Sequence, residues 1–369
     1  MFVVASRPNF MKIAPLVHEA KNEGLAFSIF HTGQHSGELM SDVFFRELNI
    51  PKPTYNLGLG SKTKLESKVG KVFFLIRNII KTRKIMREYA PDVVIVVGDV
   101  FSSAYATIIA KTLKIKVAHV EAGLRSFNNK MPEEKSRRII DKYADLLFTT
   151  EEEASKNLIK EGKKESRIFL VGNVMIDSLI DNLKKLKANN YAKKLDLKKN
   201  GYAILTLHRH ENINNKRRVI SILDAISEVS KKIKVIFPLH PSTKKQLINY
   251  KLLDKLKNIF GLKIIDPLGY KDMLSLVKNA KFVITDSGGL QEETTYLKIP
   301  CLTIRTETER PITVSVGTNT IVGFDKKKII FNVDNILKNK YRKGKTPNFW
   351  DGKASKRIIE IVKKYPLKD

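Results

Sequence analysis

Charged and imidazole side chains follow many of the short apolar runs that recur along this chain. Such runs are typical of buried parallel strands, and open parallel sheets bind ligands outside the carboxyl ends of their strands. The residues in this position are Arg7, Asp99, Glu121, His208, His240, Asp286 and Arg305. One carboxylate at a strand end is common. The whole set predicts a site that binds an anion and moves protons.

The segment TDSGGLQEE (285–293) predicts a binding site for a nucleotide diphosphate. A strand enters the turn Ser287–Gly289 and a helix follows, so the first amides of that helix lack backbone partners and favour an anion. Glu292 and Glu293 lie one turn into the helix, where a carboxylate can accept hydrogen bonds from a ribose diol. The alternative is a plain glycine turn with acids near a helix N-terminus.

The segment SRPNFMKIAPL (6–16) predicts a second strand-to-helix junction, with Pro8 in the first helical turn. Arg7 and Lys12 flank this junction and form a candidate anion site, although a capped turn with a solvated lysine would look similar. The chain has no GxxxxGK[ST] loop and no suitably placed GxGxxG motif. These absences argue against ATP hydrolysis and against a dinucleotide cofactor.

Four acids and an arginine form the candidate proton-transfer set. Asp99 follows one predicted strand and Glu121 the next, while Glu133 and Glu134 begin a helix. Arg137 lies one turn further on and could orient either glutamate. Helix capping or a surface ion pair would explain each acid alone, but together they offer several acids and bases around one small volume.

Three histidines follow neighbouring strands in the second half of the chain: His208 and His210 in TLHRHEN, and His240 in PLHPST. A zinc site is the obvious alternative, since two or three histidines could converge. Their spacing matches no established metal motif. We therefore expect them to donate hydrogen bonds or positive charge to a leaving diphosphate, and we expect no metal.

These residues need two parallel sheets to position them. Short β-branched runs alternate with amphipathic helical stretches, the pattern of an α/β fold, and the series starts afresh after a lysine-rich stretch at 182–200. We predict two Rossmann-like doubly wound domains facing a central cleft, at residues 1–172 and 173–353. The helix at 354–369 is expected to pack back on the first domain.

Composition sets limits on the class of protein. The chain has 369 residues, and Lys and Arg total 68 against 38 for Asp and Glu, a formal net charge of +30. The basic residues are scattered without interleaved aromatics, which favours an anionic substrate over nucleic acid. Cys301 is the only cysteine. No apolar run approaches the roughly 20 residues that span a membrane, and no secretory signal follows Met1. We expect a cytoplasmic protein without membrane contact.

Linked motifs along nearly the whole chain resemble those of the non-hydrolysing UDP-N-acetylglucosamine 2-epimerases. In chain order they are SRPNFMK at the start, TGQH (32–35), EAGLRS (121–126), MPEEKSRR (131–138), HRHEN (208–212), HPS (240–242), DPLGY (266–270), TDSGGLQEE (285–293) and TETERP (306–311). The resemblance implies the two-Rossmann-domain fold shared with one large glycosyltransferase class, often called GT-B.

The resemblance, together with the residues themselves, gives a set of predicted roles. The predicted catalytic residues are Asp99, Glu121, Glu133, Arg137 and His208. The predicted substrate-binding residues are Arg7, Lys12, His240, Ser287, Gly288, Gly289, Glu293 and Arg310. Gln34 and His35 resemble part of a second site, at which bacterial members bind a regulatory UDP-GlcNAc.

The chain departs from the family pattern at a few positions. Ala5-Ser6 replaces the usual glycine-threonine pair, and Asn9 stands where glutamate is common. Gly98–Ser102 differs from the usual GDTTT, and Ser136 replaces an asparagine. The charged set is intact, so these departures bear on finer substrate contacts and on regulation.

The implied activity is an isomerase reaction, the interconversion of UDP-GlcNAc and UDP-ManNAc without a cofactor. It proceeds by anti elimination of UDP to 2-acetamidoglucal and re-addition of UDP, inside a closed cleft that excludes water. The family also implies a homodimer. A UDP-sugar glycosyltransferase, a hydrolysing epimerase and a non-catalytic UDP-sugar sensor are the alternatives. The sequence does not assign the acid and the base among the carboxylates.

Overall fold

The chain folds into two compact units, seen in a computed structural model. The model describes residues 1–5, 7–32, 45, 48–57, 68–129, 131–186 and 191–366, without the side chains of 7, 8 and 68–74. The first unit comprises Met1–Ser178 and Asn348–Asp369, and the second comprises Leu179–Pro347. The divisions predicted from the sequence lie after residues 172 and 353.

The first unit is built on a seven-stranded sheet. Its strands are β1 (Phe2–Val4), β2 (Ile29–His31), β3 (Tyr55–Asn56), β4 (Val93–Val97), β5 (Lys116–Ala122), β6 (Leu146–Thr149) and β7 (Ile168–Leu170). Their order is β3-β2-β1-β4-β5-β6-β7, and every pairing is parallel. The strand order reverses direction between β1 and β4, the position at which doubly wound sheets bind ligands.

Helices alternate with these strands. They are α1 (Arg7–Asn22), α2 (Lys68–Tyr89), α3 (Phe101–Thr112), α4 (Pro132–Tyr143), α5 (Glu152–Lys160) and α6 (Val174–Lys185), with a short 3₁₀ turn at Glu165–Arg167. The division between the two units falls within α6, and α16 (Ala354–Lys364) belongs to the first unit.

The second unit contains a six-stranded parallel sheet. Its strands are β8 (Tyr202–Thr206), β9 (Lys234–Pro238), β10 (Leu262–Ile265), β11 (Phe282–Thr285), β12 (Cys301–Thr303) and β13 (Asn319–Ile321). Their order, β10-β9-β8-β11-β12-β13, places the switch point between β8 and β11. Its helices are α7 (Tyr191–Lys194), α8 (His210–Ile213), α9 (Lys216–Ser230), α10 (Pro241–Asn249), α11 (Leu253–Lys257), α12 (Tyr270–Asn279), α13 (Gly288–Leu297), α14 (Pro311–Ser315) and α15 (Lys326–Leu337).

The central strands of the second unit are buried on both faces, and this explains their continuous apolar sequences. Along β8, Ala203 and Leu205 belong to one hydrophobic cluster, whereas Tyr202 and Ile204 belong to the cluster on the opposite face. Successive side chains of a strand point to opposite faces, so two covered faces require apolar residues at consecutive positions. The prediction of two doubly wound parallel sheets is confirmed.

Two short strands at the sheet edges, β3 and β13, have too few apolar residues to stand out in the sequence. None of the helices in the described ranges is both long and apolar enough to cross a membrane.

The segment after Pro347 is joined to the first unit by specific contacts. The carboxylate of Asp177 accepts hydrogen bonds from the amides of Ala354 (3.2 Å) and Ser355 (2.7 Å) at the start of α16. The indole of Trp350 donates to the carbonyl of Thr150 at 3.2 Å. Helix α16 therefore receives its N-terminal partners from a distant part of the chain.

Gly172 makes the closest approach in this junction. Its φ is +93°, and a Cβ built there would lie 2.0 Å from the carbonyl oxygen of Phe349. Gly162 also has a positive φ (+78°), but a Cβ there would meet nothing within 4 Å. The two glycines thus share a backbone conformation that disfavours side chains, and only Gly172 lacks the space for one.

We expect Gly172→Ala to lower the free energy of unfolding by about 3 kcal/mol, because backbone strain and overpacking add at this position. Gly162→Ala should cost only about 1 kcal/mol, the strain alone. Thermal and urea denaturation of both variants measure the difference. Equal losses would mean that the contact with Phe349 does not constrain the fold.

Candidate active site

Asp99 and Glu134 are joined by Arg137 at the carboxyl end of the first sheet. Asp99 follows β4, and its carboxylate forms an ion pair with the guanidinium of Arg137 on α4. The same guanidinium donates to Glu134 at 3.2 Å, and Glu134 also accepts from the amide (2.8 Å) and hydroxyl (3.0 Å) of Ser126. Glu134 is fully buried, so its role is to hold Arg137 against Asp99.

Glu121 occupies a β-bulge near the end of β5. The pairing of β5 with β6 shifts register between Val120 and Ala122, and Glu121 has a φ of +73°. Bulges redirect side chains and are over-represented near active sites, and a positive φ at a residue other than glycine is strained. The bulge therefore sets the direction of the Glu121 carboxylate.

Lys12 fixes one oxygen of that carboxylate. Its ammonium lies 2.6 Å from Oε2 of Glu121, and both side chains are largely buried. Within the described part of the chain, Oε1 of Glu121 is buried and makes no hydrogen bond. One oxygen is thus held by a cation while the other can still accept a proton.

Gly98 leaves room for this ion pair. Its φ is +71°, and a Cβ there would lie 3.3 Å from the Lys12 ammonium and 3.8 Å from Oε2 of Glu121. Asn9 donates from its side-chain amide to the carbonyl of Val97 at 2.9 Å. The structure thus brings Asp99, Glu121 and Lys12 to one end of the sheet.

Glu133 differs from its neighbour Glu134. Its side chain is half-buried, and it makes no hydrogen bond or ion pair with any residue that the structure describes. Toward the described part of the chain, both oxygens of this carboxylate can therefore still accept hydrogen bonds. The sequence could not separate the two glutamates, because both lie in the first turn of α4.

Three predicted site residues cannot be placed in the same way. Arg7 begins α1, but its side chain lies outside the described residues. Gln34 and His35 lie outside the described ranges altogether. Their predicted roles stay predictions.

His208 follows β8 in the second unit and is held by the buried Asp286. Asp286 accepts from Nδ1 of His208 at 2.9 Å and from the amides of His208 and Arg209 at 2.9 Å each. Burial acts to raise the pKa of Asp286, but His208 and these amides outweigh it and lower the pKa below its ordinary value. Asp286 thus fixes the orientation of the His208 ring, which remains about a third exposed, at 37%.

His240 lies beside His208, with 5.8 Å between the ring centroids. It is the N-cap of α10, and its Nδ1 lies 2.7 Å from the hydroxyl of Ser242. No group of three His, Cys, Asp or Glu side chains able to hold a metal ion occurs among the described residues.

Arg310 approaches the N-terminus of α13 at Gly288. Ser287 is the N-cap of this helix, and a Cβ at Gly288 would lie 2.8 Å from Nη1 of Arg310. Gly289 follows as the second helical residue. The guanidinium is fixed by Glu292 (2.7 Å from Nε) and by Glu309, which accepts from Nη1 at 2.7 Å. A side chain at position 288 would displace the cation from the helix end, where both the helix amides and the guanidinium favour an anion.

Arg305 supports this arrangement from within the core. It is fully buried and donates to Glu211 (2.7 Å) and to Glu309 (2.8 Å). The sequence places Arg305 among the groups at strand ends, and in the structure it holds Glu309, which in turn binds Arg310. A buried arginine paired with two acids has no recognisable signal in one sequence, because its partners lie far apart along the chain.

Glu293 is buried in the second turn of α13. Burial raises its pKa to about 8, against which Tyr270 acts to lower the pKa, while the charge of Glu292 raises it further. Burial also raises the pKa of Tyr270 well above its ordinary value. Glu293 is therefore a carboxyl group whose charge changes near neutral pH.

The family model described as UDP-N-acetylglucosamine 2-epimerase matches residues 18–363 of this chain. A UDP-N-acetylglucosamine 2-epimerase of Methanocaldococcus jannaschii is 42% identical over 365 residues, covering 98% of this chain and 97% of the relative. A UDP-2,3-diacetamido-2,3-dideoxy-D-glucuronate 2-epimerase of Pseudomonas aeruginosa is 35% identical over 373 residues, covering 98% of each chain.

A crystal structure of the M. jannaschii UDP-GlcNAc 2-epimerase, in complex with UDP-GlcNAc and UDP, has a TM-score of 0.88 and covers 99% of each chain. Together with the strand order and the family model, these matches show that the chain belongs to the UDP-N-acetylglucosamine 2-epimerase family.

Proposed function

We propose that this protein is a non-hydrolysing UDP-GlcNAc 2-epimerase that interconverts UDP-GlcNAc and UDP-ManNAc. The observation that carries the proposal is the carboxylate set of the first unit. Glu121 is paired with Lys12 through one oxygen, Asp99 is paired with Arg137, and Glu133 lies at the start of α4. A sugar-nucleotide sensor would need the anion-binding groups of the second unit but no such set of acids.

The hydrogen on C2 of the sugar is not acidic, because no carbonyl group is adjacent to it. Elimination avoids a free carbanion at C2: a base takes the C2 proton, the C–H electron pair forms a double bond between C1 and C2, and the C1–O electrons leave with UDP. Re-addition reverses these steps, with a phosphate oxygen attacking C1 and a proton delivered to the opposite face of C2. The reaction needs a base, an acid and a stabilised leaving group.

We assign the stabilisation of the leaving diphosphate to the second unit. His208 is oriented by Asp286, and Arg310 is held beside Gly288 at the N-terminus of α13. These donors are fixed before any ligand arrives, and preorganised donors stabilise developing charge most effectively. Glu293, further along the same helix, is assigned to the ribose hydroxyls.

We assign the proton transfers at C2 to Asp99, Glu121 and Glu133. Glu121 has a cation on one oxygen, and its second oxygen makes no hydrogen bond within the described part of the chain, as a general base requires. Arg137 pairs with Asp99 and orients its carboxylate. No cofactor is needed, because the substrate and the product have the same oxidation state and the same number of protons.

Further expectations follow from the family resemblance. They are a homodimer, a cytoplasmic location and a regulatory UDP-GlcNAc site that includes Gln34 and His35. The P. aeruginosa relative is named for a different UDP-sugar, so the test of function must also identify the substrate.

The first test is proton NMR of the purified protein with UDP-GlcNAc in D₂O, without added NAD, metal or acceptor. We expect UDP-ManNAc with deuterium at C2, because elimination and re-addition exchange that hydrogen with solvent. Free ManNAc with released UDP would show a hydrolysing enzyme instead. Unchanged UDP-GlcNAc, after a repeat with added UDP, would favour the sensor or the transferase; turnover of UDP-2,3-diacetamido-2,3-dideoxy-D-glucuronate alone would change the substrate.

The adjacent glutamates of α4 provide a matched pair of variants. We expect Glu133→Gln to lower kcat by about 10²–10⁴-fold with little change in Tm, because it removes a proton-transfer group that makes no structural contact. Glu134→Gln should lower Tm by several degrees, because it weakens the ion pair with Arg137 within a buried network. Initial rates and thermal melts of both variants test the assignment, and an unchanged kcat in Glu133→Gln would exclude Glu133 from the reaction.

The raised pKa of Glu293 predicts that UDP binding depends on pH. A carboxylate accepts hydrogen bonds from a ribose diol better than a carboxylic acid does, so the affinity should increase as pH rises through the pKa of about 8. The ionised fraction of such a group grows about tenfold between pH 7 and pH 9, and we expect the Kd to fall by a similar factor. Calorimetry of the wild type and of Glu293→Gln separates this effect from titration of UDP. Equal pH dependence in the two proteins would contradict the ribose assignment.

A further inference from the structure

Asp141 on α4 binds the polypeptide on both sides of the bulge that carries Glu121. One oxygen lies 2.6 Å from Nδ1 of His119, two residues before Glu121. The other accepts from the amide of Gly123, two residues after Glu121, at 3.2 Å. Asp141 and His119 are both fully buried, so these bonds are not exchanged for bonds to bulk water.

His119 extends this connection to the strand that carries Asp99. Its Nε2 lies 3.0 Å from the carbonyl oxygen of Gly98, the residue before Asp99. Both ring nitrogens of His119 thus face acceptor oxygens. The ring therefore connects helix α4 to the strand that precedes Asp99.

Arg125 adds a cation to this buried group. Burial acts to raise the pKa of Asp141, but the charges and hydrogen bonds of His119 and Arg125 outweigh it and lower the pKa. Arg125 lies 2.7 Å from the oxygen of Asp141 that binds Gly123 and also pairs with Glu161 at 2.6 Å. A buried cation is tolerated when such an acid is paired with it and hydrogen-bonded.

We infer that His119 and Asp141 are positioning residues for the epimerisation: they fix the backbone from which both Glu121 and Asp99 extend. The inference rests on the proposed function, because it assigns no contact between His119 or Asp141 and the substrate. Glu121 needs this support more than most residues, since its positive φ is unfavourable and a relaxed bulge would redirect its carboxylate.

The placement of the pair argues against a general structural role alone. A buried ion pair adds little to stability compared with apolar residues of the same size, whereas it can hold one particular geometry. Every polar contact of the His119 ring and the Asp141 carboxylate that the structure gives, apart from the pair itself and Arg125, goes to the backbone of Gly98 or Gly123. Both positions lie within two residues of a proposed catalytic acid.

Asp145, which precedes β6, provides a matched control because its carboxylate also binds β5. It is also buried, accepts from the amide of Val117 near the start of β5 at 2.8 Å, and pairs with Lys111 at 2.8 Å. Asp145→Asn therefore weakens a comparable carboxylate–backbone contact at the end of β5 that lies away from Glu121. This variant measures how a loss of stability alone changes the activity, because it leaves the bulge at Glu121 unaltered.

The experiment compares Asp141→Asn, His119→Gln and Asp145→Asn with the wild type. Measured are kcat and KM for epimerisation, the Kd for UDP, the Tm and the amide hydrogen exchange of Gly98 and Gly123. We expect kcat to fall about 100-fold in the first two variants, because a displacement of about 1 Å costs that much, while KM and the Kd for UDP change less than about threefold. Exchange at Gly123 should accelerate in Asp141→Asn, and Asp145→Asn should lose Tm but keep kcat within about twofold.

Two results would overturn the inference. One is a kcat near the wild-type value in folded His119→Gln or Asp141→Asn. The other is a loss of kcat in Asp145→Asn that matches theirs at equal loss of Tm. If one of the two variants fails to fold, the other decides. A wild type that does not epimerise would instead overturn the proposed function, and exchange at Gly98 and Gly123 would then decide alone whether Asp141 and His119 hold the bulge.

Discussion

The buried ion pair between Lys12 and Glu121 imposes the central constraint on the first unit. A carboxylate and an ammonium that lose their hydration are tolerated only in good geometry, so their positions must be set by the surrounding backbone. The chain provides a bulge that directs Glu121 and a glycine at position 98 that leaves room for both groups. The ion pair between Lys12 and Glu121 and the irregular backbone around it therefore depend on each other.

The two units each bury an aspartate against Nδ1 of a histidine, and they use this pair differently. In the first unit Asp141 and His119 are both enclosed, and the second ring nitrogen of His119 is occupied by the carbonyl of Gly98. In the second unit Asp286 is enclosed, but His208 remains 37% exposed. A histidine whose second ring nitrogen is buried, such as His119, supports the backbone. One whose ring stays exposed, such as His208, can bind a ligand.

Much of this could be predicted from sequence, and the limits have physical causes. The two parallel sheets were predictable because strands buried on both faces leave apolar runs. The SGG turn was predictable because glycines between a strand and a helix let an anion approach the first helix amides. The difference between Glu133 and Glu134 was not predictable, because it depends on the hydrogen bonds that Ser126 and Arg137 donate to Glu134. The sequence did not indicate that Asp141 and Arg305 position other residues, because the atoms that they bind are distant in sequence or belong to the backbone.

The first unit includes residues from both sides of the second, since Asn348 and the residues after it pack with Met1–Ser178. Gly172 contacts Phe349, and Asp177 supplies the N-terminal partners of α16. During synthesis the second unit is therefore complete before the first, whose last helix emerges from the ribosome only after Pro347. Until then Asp177 and the surface beneath α16 remain uncovered, so the nascent first unit depends on its own sheet, or on a chaperone, to avoid aggregation.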